Sequence, residues 1–203
     1  MSSHHFVKDQ QEPAVFILNA DQIYFDQVSA MLEWVPTALV SEEAIDQVLS
    51  WGIKIDVILA SDGFQKANPH LLEEQYPVKF LTVNEGNFLD KGLCYLIESN
   101  HKAVHLVGIP HQKALELEEK TKMIDFTIVD GDWKYYPVRS GNFKKWFAES
   151  TIHIHAKEGL PVEIRNSNGD LILPIRYATM IEVPEGTTEI KAPGLFWIGE
   201  MVR

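Results

Sequence analysis

The chain has 203 residues, of which 45% are hydrophobic, and its formal net charge at pH 7 is −11. This length and composition predict one large or two small hydrophobic cores. The negative charge argues against a nucleic-acid partner. The sequence has neither an 18-residue apolar run nor a charged-then-apolar signal segment, so nothing in it argues for a membrane partner or for export. The single cysteine, Cys94, excludes an intrachain disulfide and predicts a cytoplasmic protein. Because Cys94 lies between Leu93 and Leu96, we predict that it is a small core residue.

Apolar strands alternate with helical stretches through the first part of the chain. The predicted strands are residues 15–18, 38–40, 56–60, 79–83 and 104–107, and the clearest helical stretches are residues 89–99 and 112–122. This alternation is typical of a doubly wound α/β domain with a parallel sheet. We assign it to residues 1–132.

Residues 37–62 form the most informative unit of that domain. Apolar residues three and four apart predict an amphipathic helix, with Ser41 as its N-cap and Gly52 just beyond its end. A buried strand follows and stops at Ser61 and Asp62. Ligands of open α/β sheets bind at the carboxyl ends of the strands, so we expect a site near these two residues.

The remainder of the chain is predicted to be strand-rich. Asp130-Gly131 and Asn168-Gly169 have the composition of hairpin turns. Predicted strands lie at residues 126–129, 134–138, 151–155, 162–165, 171–175, 179–183, 188–191 and 195–201. They predict an all-β, sandwich-like C-terminal domain at residues 133–203.

Four stretches of the chain carry a resemblance to a known family. They are ALVSEEA (residues 38–44), GIKID (52–56), ASDGF (60–64) and GLFWI (194–198). In order and spacing they resemble the motifs of the thiamin pyrophosphokinase (thiamine diphosphokinase) family. The resemblance implies transfer of pyrophosphate from ATP to thiamin, with Mg²⁺ as cofactor, by a cytoplasmic homodimer.

The resemblance also implies a set of site residues. The catalytic acids would be Asp62, Glu85 and Asp90, of which Asp62 and Glu85 would bind the metal. The substrate-binding residues would be Trp197, Ser61, Asn84 and Asn87, with the ring of Trp197 against thiamin or a similar heteroaromatic molecule.

Several acids of the family are missing from their aligned positions. Aligned without gaps, the acid of the first motif falls on Ser41, and the two acids of the second fall on Ser61 and Gly63. Three hypotheses therefore stand: an active enzyme with relocated acids, a catalytically inactive homologue acting as a ligand-binding or regulatory dimer, and a structural dimerisation module.

Two histidines invite a separate hypothesis. His153 and His155 lie two apart on a predicted strand, so both side chains are on one face and could begin a zinc site. No third ligand stands at a recognisable spacing, and we predict a solvated strand face instead. Asp130 and Asp132 flank a glycine and could bind a cation, but they are foremost a turn signal.

Overall fold

The computed structural model describes residues 12–84 and 86–202, which form two compact units. The first unit comprises the described residues up to Ile109 together with Lys122–Phe126, and the second comprises Pro110–Thr121 and the residues from Thr127 onward. Among the described residues, no helix is both long enough and apolar enough to cross a membrane.

The first unit is built on a parallel sheet. Its strands are β1 (Ala14–Ile17), β2 (Ala38–Ser41), β3 (Val57–Ala60), β4 (Lys79–Thr82) and β5 (Ala103–Val107). They pair in the order β5-β1-β2-β3-β4, and every neighbouring pair is parallel. Strands β1, β2 and β3 are buried along their whole length, as expected for a parallel sheet covered on both faces. The predicted α/β fold class is confirmed.

Five helices connect these strands. They are α1 (Phe25–Leu32), α2 (Ile45–Ser50), α3 (Asp62–Ala67), α4 (Leu71–Glu74) and α5 (Phe88–Glu98). Helix α5 packs closely through Gly92, since a Cβ atom built there would lie 2.2 Å from Cε1 of Phe16 on β1. The absence of a side chain at Gly92 therefore makes room for the Phe16 ring.

Three local predictions in or next to this unit were wrong. Ser41 ends β2 and does not cap a helix, because the Glu42 amide donates to the Leu59 carbonyl at 2.8 Å and extends the strand pairing, so α2 begins only at Ile45. Cys94 is exposed, because the buried stripe of α5 passes through Leu93 and Leu96 and leaves Cys94 outside it. The predicted helix at residues 112–122 is two short 3₁₀ segments, His111–Ala114 and Glu118–Lys122.

The second unit is a β-sandwich of two antiparallel sheets. One contains β6 (Asp125–Asp130, of which residues 127–130 belong to this unit), β7 (Trp133–Val138), β9 (Ser150–His155), β12 (Ala178–Val183) and β14 (Phe196–Met201), in the order β12-β9-β14-β7-β6. The other contains β8 (Asn142–Phe147), β10 (Pro161–Asn166), β11 (Gly169–Pro174) and β13 (Gly186–Lys191), in the order β11-β10-β13-β8. The sandwich-like prediction is confirmed.

Apolar residues from both sheets fill the sandwich core, among them Phe147, Ile154, Ile164 and Phe196. The two predicted hairpin turns are also found, with positive φ angles of 55° at Gly131 and 115° at Gly169. Left-handed backbone of this kind favours glycine, which explains why the two dipeptides were informative.

Candidate functional site

The carboxyl ends of β2 and β3 carry serine hydroxyls that are used inside the protein. Ser41 is completely buried, and its Oγ donates to the carbonyl oxygen of Leu18. Ser61 follows β3 directly and is the N-cap of α3, with its Oγ accepting a hydrogen bond from the Phe64 amide at 3.2 Å. Both positions align with family acids, so hydroxyls bonded to the protein stand where the resemblance places carboxylates.

Glu42 completes this edge of the sheet. Its Oε2 accepts two hydrogen bonds from Ser61, one from the backbone amide at 2.7 Å and one from Oγ at 2.9 Å. The predicted helix with Ser41 as its N-cap would begin at Glu42, so this role of Glu42 was not predicted from the sequence. The signal that could have found it is its position immediately after a buried strand, where side chains reach the carboxyl edge of the sheet.

A further polar contact fixes the start of α3. The Gln65 side-chain amide donates to the Ala60 carbonyl at 2.9 Å and to Thr82 Oγ1 at 3.1 Å. Helix α3 is thereby tied to the ends of both β3 and β4. Its first residue, Asp62, remains exposed.

The other predicted site residues of the first unit lie between β4 and α5. Asn84 and Asn87 are exposed, and Asn87 precedes α5 directly. Asp90 lies in the first turn of α5 and is half-buried. Glu85 lies outside the described residues. The catalytic and substrate-binding roles of these residues stay predictions.

The described residues show no preassembled cluster of carboxylates for the Mg²⁺ ion that the resemblance implies. Such an ion requires several oxygen ligands in near-octahedral geometry. One oxygen of Glu42 already accepts two hydrogen bonds from Ser61. Within residues 12–84 and 86–202, no three His, Cys, Asp or Glu side chains come together as a metal-binding group. The predicted metal pair of Asp62 and Glu85 includes a residue outside these ranges and stays a prediction.

Trp197 lies on β14 in the second unit and is completely buried. Its neighbours Phe196 and Ile198 belong to the sandwich core, so Trp197 points to the opposite face of the same sheet. Across that face it stands beside His155 of β9 and Pro137 of β7. In this conformation no ring face of Trp197 is accessible from solvent, and its role as a substrate contact stays a prediction.

The same face of the sheet carries a group of polar rings that we call the histidine cluster: His111, His153 and His155 with Asp130 and Tyr135. His155 is completely buried and His153 is half-buried, so the prediction of a solvated strand face was wrong. The ring centroid of His111 lies 5.5 Å from that of His155 and 6.5 Å from that of His153. A third imidazole, 42 positions away in sequence from His153, therefore joins the two on the strand.

Hydrogen bonds and stacking hold the histidine cluster together. Asp130 Oδ2 accepts from His111 twice, from the backbone amide at 2.9 Å and from Nδ1 at 2.8 Å. The His111 ring stacks on Tyr135 at a centroid distance of 4.9 Å, and the Tyr135 hydroxyl bonds to Nδ1 of His153 at 2.7 Å. Asp130 is thus more than a turn residue, because it orients the His111 ring.

Two imidazole nitrogens in this cluster have no hydrogen-bond partner among the described residues. They are Nε2 of His153 and Nε2 of His155, and both are buried. Nδ1 of His155 donates to the Tyr177 carbonyl at 3.0 Å, which leaves its Nε2 as an acceptor in the neutral ring. Burial lowers the pKa of both histidines. The electrostatic effect of His111 lowers the pKa of His153 further. For His155 the hydrogen bond to Tyr177 raises the pKa and His111 lowers it, and the net pKa remains below the usual value. Burial raises the pKa of Tyr135 well above its usual value, and the charge of Asp130 adds to this, so its hydroxyl is protonated.

A glycine makes room for the cluster. Gly199 on β14 stands opposite Tyr135 on one side and His153 on the other. A Cβ atom at Gly199 would lie 2.4 Å from Cε1 of Tyr135 and 3.0 Å from Cβ of His153. The two rings can meet across β14 only because this position has no side chain.

Comparison with solved structures identifies the fold. The structure is similar to thiamine pyrophosphokinase from Bacillus subtilis, with a TM-score of 0.70 and 9% identity over 95% of this chain and 100% of that one. The enzyme from Geobacillus thermodenitrificans gives a TM-score of 0.70 and 8% identity over 94% of this chain and 97% of that one. The yeast enzyme gives a TM-score of 0.69 and 8% identity over 95% of this chain and 87% of that one. No family model matches the sequence, and neither does any curated protein. On the evidence of these structures, the chain has the fold of the thiamin pyrophosphokinases.

Proposed function

We propose that this protein binds thiamin or a similar flat heteroaromatic molecule and does not transfer pyrophosphate to it. It would act as a cytoplasmic homodimer in a binding or regulatory role. The fold supports the ligand class, since the similar solved structures are thiamin pyrophosphokinases. In this proposal the exposed amides of Asn84 and Asn87 and the Ser61 hydroxyl contact the ligand beside the carboxyl edge of the sheet.

The observation that carries the absence of catalysis is the contact between Ser61 and Glu42. Metal-dependent pyrophosphoryl transfer uses carboxylates that are free to hold the ion. Here the oxygen of Glu42 accepts two hydrogen bonds from Ser61, and the Ser61 hydroxyl also caps α3. This edge is arranged to stabilise the sheet and the helix. Removal of a single key electrostatic group commonly costs about 10²–10³ in rate, and here acids are replaced at Ser41, Ser61 and Gly63.

A second candidate is thiamin pyrophosphokinase activity with relocated acids. The observation that favours it is Asp62, whose carboxylate is exposed in the first turn of α3, one residue from the position of a family acid. Under this alternative Asp62 would act together with Glu85 and Asp90, with Mg²⁺ and ATP.

Calorimetry and product analysis separate the two candidates. Thiamin is titrated into the protein first, and AMP is then measured by chromatography after ATP and Mg²⁺ are added. Thiamin binding without AMP supports the first candidate. AMP formation that is lost in Asp62→Asn but kept in Asp46→Asn, an exposed first-turn acid of α2, supports the second. A protein that neither binds thiamin nor forms AMP would contradict both.

A further inference from the structure

We propose that the histidine cluster of the second unit is a proton-binding site, and that its protonation opens the sheet face on which Trp197 lies. The cluster lies within the second unit, and its protonation does not require a bound ligand. Only its consequence for ligand access, through Trp197, rests on the proposed function.

The cluster contains a single carboxylate that can balance positive charge, and it is bonded to His111. The 3₁₀ segment contributes His111, β6 contributes Asp130, β7 contributes Tyr135, and β9 contributes His153 and His155. The segment before β12 adds the ring and carbonyl of Tyr177, which are uncharged. The carboxylate in this set, Asp130, already accepts two bonds from His111. It can balance one imidazolium, at His111, and no carboxylate of the cluster contacts His153 or His155.

Two buried nitrogens of the cluster, Nε2 of His153 and Nε2 of His155, have no hydrogen-bond partner among the described residues. In a neutral ring, a buried nitrogen without a partner has lost one hydrogen bond to water, and this loss is unfavourable. Protonation would place a charged N–H group at Nε2 of His155, where the described residues offer no acceptor. A buried, unpaired charge costs far more than a buried, unpaired neutral group. Protonated His155 therefore favours a conformation in which Nε2 reaches water.

Protonation of His153 would disturb its hydrogen bond to Tyr135. Its Nδ1 is bonded to the Tyr135 hydroxyl, which is protonated and can donate to the neutral ring. A proton on Nδ1 would face that hydroxyl hydrogen, so the hydroxyl must turn and lose its acceptor. The ring centroid of His111 lies 6.5 Å away, and its electrostatic effect lowers the pKa of His153 in addition to burial. Protonation of His153 and His155 is therefore unfavourable as long as this face of the sheet stays closed.

The opening would be visible through two tryptophans. Trp133 stacks on His153 with a centroid distance of 3.6 Å, and Trp197 is the neighbour of His155 across β9 and β14. When the two imidazoles turn toward water, Trp133 loses its stacking partner and the completely buried Trp197 becomes accessible. Acidification then regulates access to the residue that the resemblance assigns to substrate binding.

The test is a pH titration of the full chain without ligand, from pH 8 to pH 5, followed by tryptophan emission and acrylamide quenching. The expected result is a red shift with increased quenching below about pH 6.5, where histidine titrates. As the pH falls through this range, the equilibrium constant for unfolding should rise by up to about 100-fold per pH unit, because the unfolded chain binds two more protons than the folded chain. The double variant His153→Gln with His155→Gln should lose this dependence.

Two control variants isolate the cluster. His70→Gln removes an exposed histidine at the N-cap of α4, and His101→Gln removes a histidine of the first unit whose pKa is lowered by burial. Both variants should keep the tryptophan transition. A transition that survives in the double variant, or that disappears in His101→Gln, would overturn the proposal.

A spectroscopic titration covers the case in which the double variant fails to fold. In the unmodified protein, the NMR signals of the His153 and His155 ring protons should titrate at a lower pH than an unperturbed histidine, together with the tryptophan transition. Titration of both rings at the pH of an unperturbed histidine, with no change at the tryptophans, would overturn the proposal. Because no thiamin is present, a protein that fails to bind thiamin can still pass this test.

Discussion

Replacing Ser61 by alanine removes two contacts at the edge of the parallel sheet: the bond from Oγ to Glu42 and the bond that Oγ accepts from the Phe64 amide. Loss of a serine N-cap costs about 1 kcal/mol. A hydrogen bond to a charged group contributes about 1.5–3 kcal/mol, and the lower end applies here because both side chains are only half-buried and the Ser61 amide still donates to Glu42. We therefore expect Ser61→Ala to lower the free energy of unfolding by about 2.5 kcal/mol.

Urea denaturation, followed by circular dichroism, measures this loss. Hydrogen exchange at the Phe64 amide reports on α3 itself and should accelerate in the variant. Ser50→Ala is the matched control, because its hydroxyl donates to the Gln47 carbonyl on an exposed part of α2. That control should stay within about 0.5 kcal/mol of the unmodified protein. Equal effects of the two variants would refute the view that Ser61 holds this edge together.

Three glycine substitutions are expected to change the free energy of unfolding, two of them lowering it and one raising it, and urea denaturation measures all three changes. Gly199→Ala should destabilise the second unit by about 1–3 kcal/mol, because its Cβ would lie 2.4 Å from Cε1 of Tyr135; an unchanged midpoint would contradict the packing described for the cluster. Gly92→Ala should destabilise the first unit by a similar amount of about 1–3 kcal/mol through Phe16, and the additional replacement Phe16→Leu should recover part of the loss. Gly63→Ala should instead stabilise α3 by about 0.5–1 kcal/mol, since nothing lies within 4 Å of its Cβ position, and a loss of stability there would show that the space is not open.

The parts of the fold that local sequence determines could be predicted. Continuous apolar runs such as Val57–Ala60 identify buried parallel strands, and Asp-Gly and Asn-Gly identify hairpins because few residues adopt positive φ. The helix at Phe88–Glu98 also follows from its own periodicity. In each case the pattern that forms the element lies within the element.

The site could be predicted only where its residues follow a strand. Ser61 was located in this way, but the roles of Ser41 and Glu42 depend on pairing with β3 and on contacts 19 and 23 positions away in sequence. A helical pattern around Ala44 outweighed that distant pairing in the sequence reasoning.

The histidine cluster depends on still longer contacts. A strand pattern shows that His153 and His155 share a face, but not whether that face meets water or other residues. The ring of His111 contacts both histidines on this face, and the missing side chain at Gly199 leaves space for the neighbouring rings. Neither signal is visible in the strand itself, which is why a solvated face was expected.

The most direct test of binding without turnover is calorimetry with thiamin, followed by measurement of AMP in the same sample after ATP and Mg²⁺ are added. The account predicts saturable heat with thiamin and no AMP above the level of a protein-free control. Stoichiometric binding followed by steady release of AMP would contradict it, and would show that the acids of a working pyrophosphokinase are present at other positions.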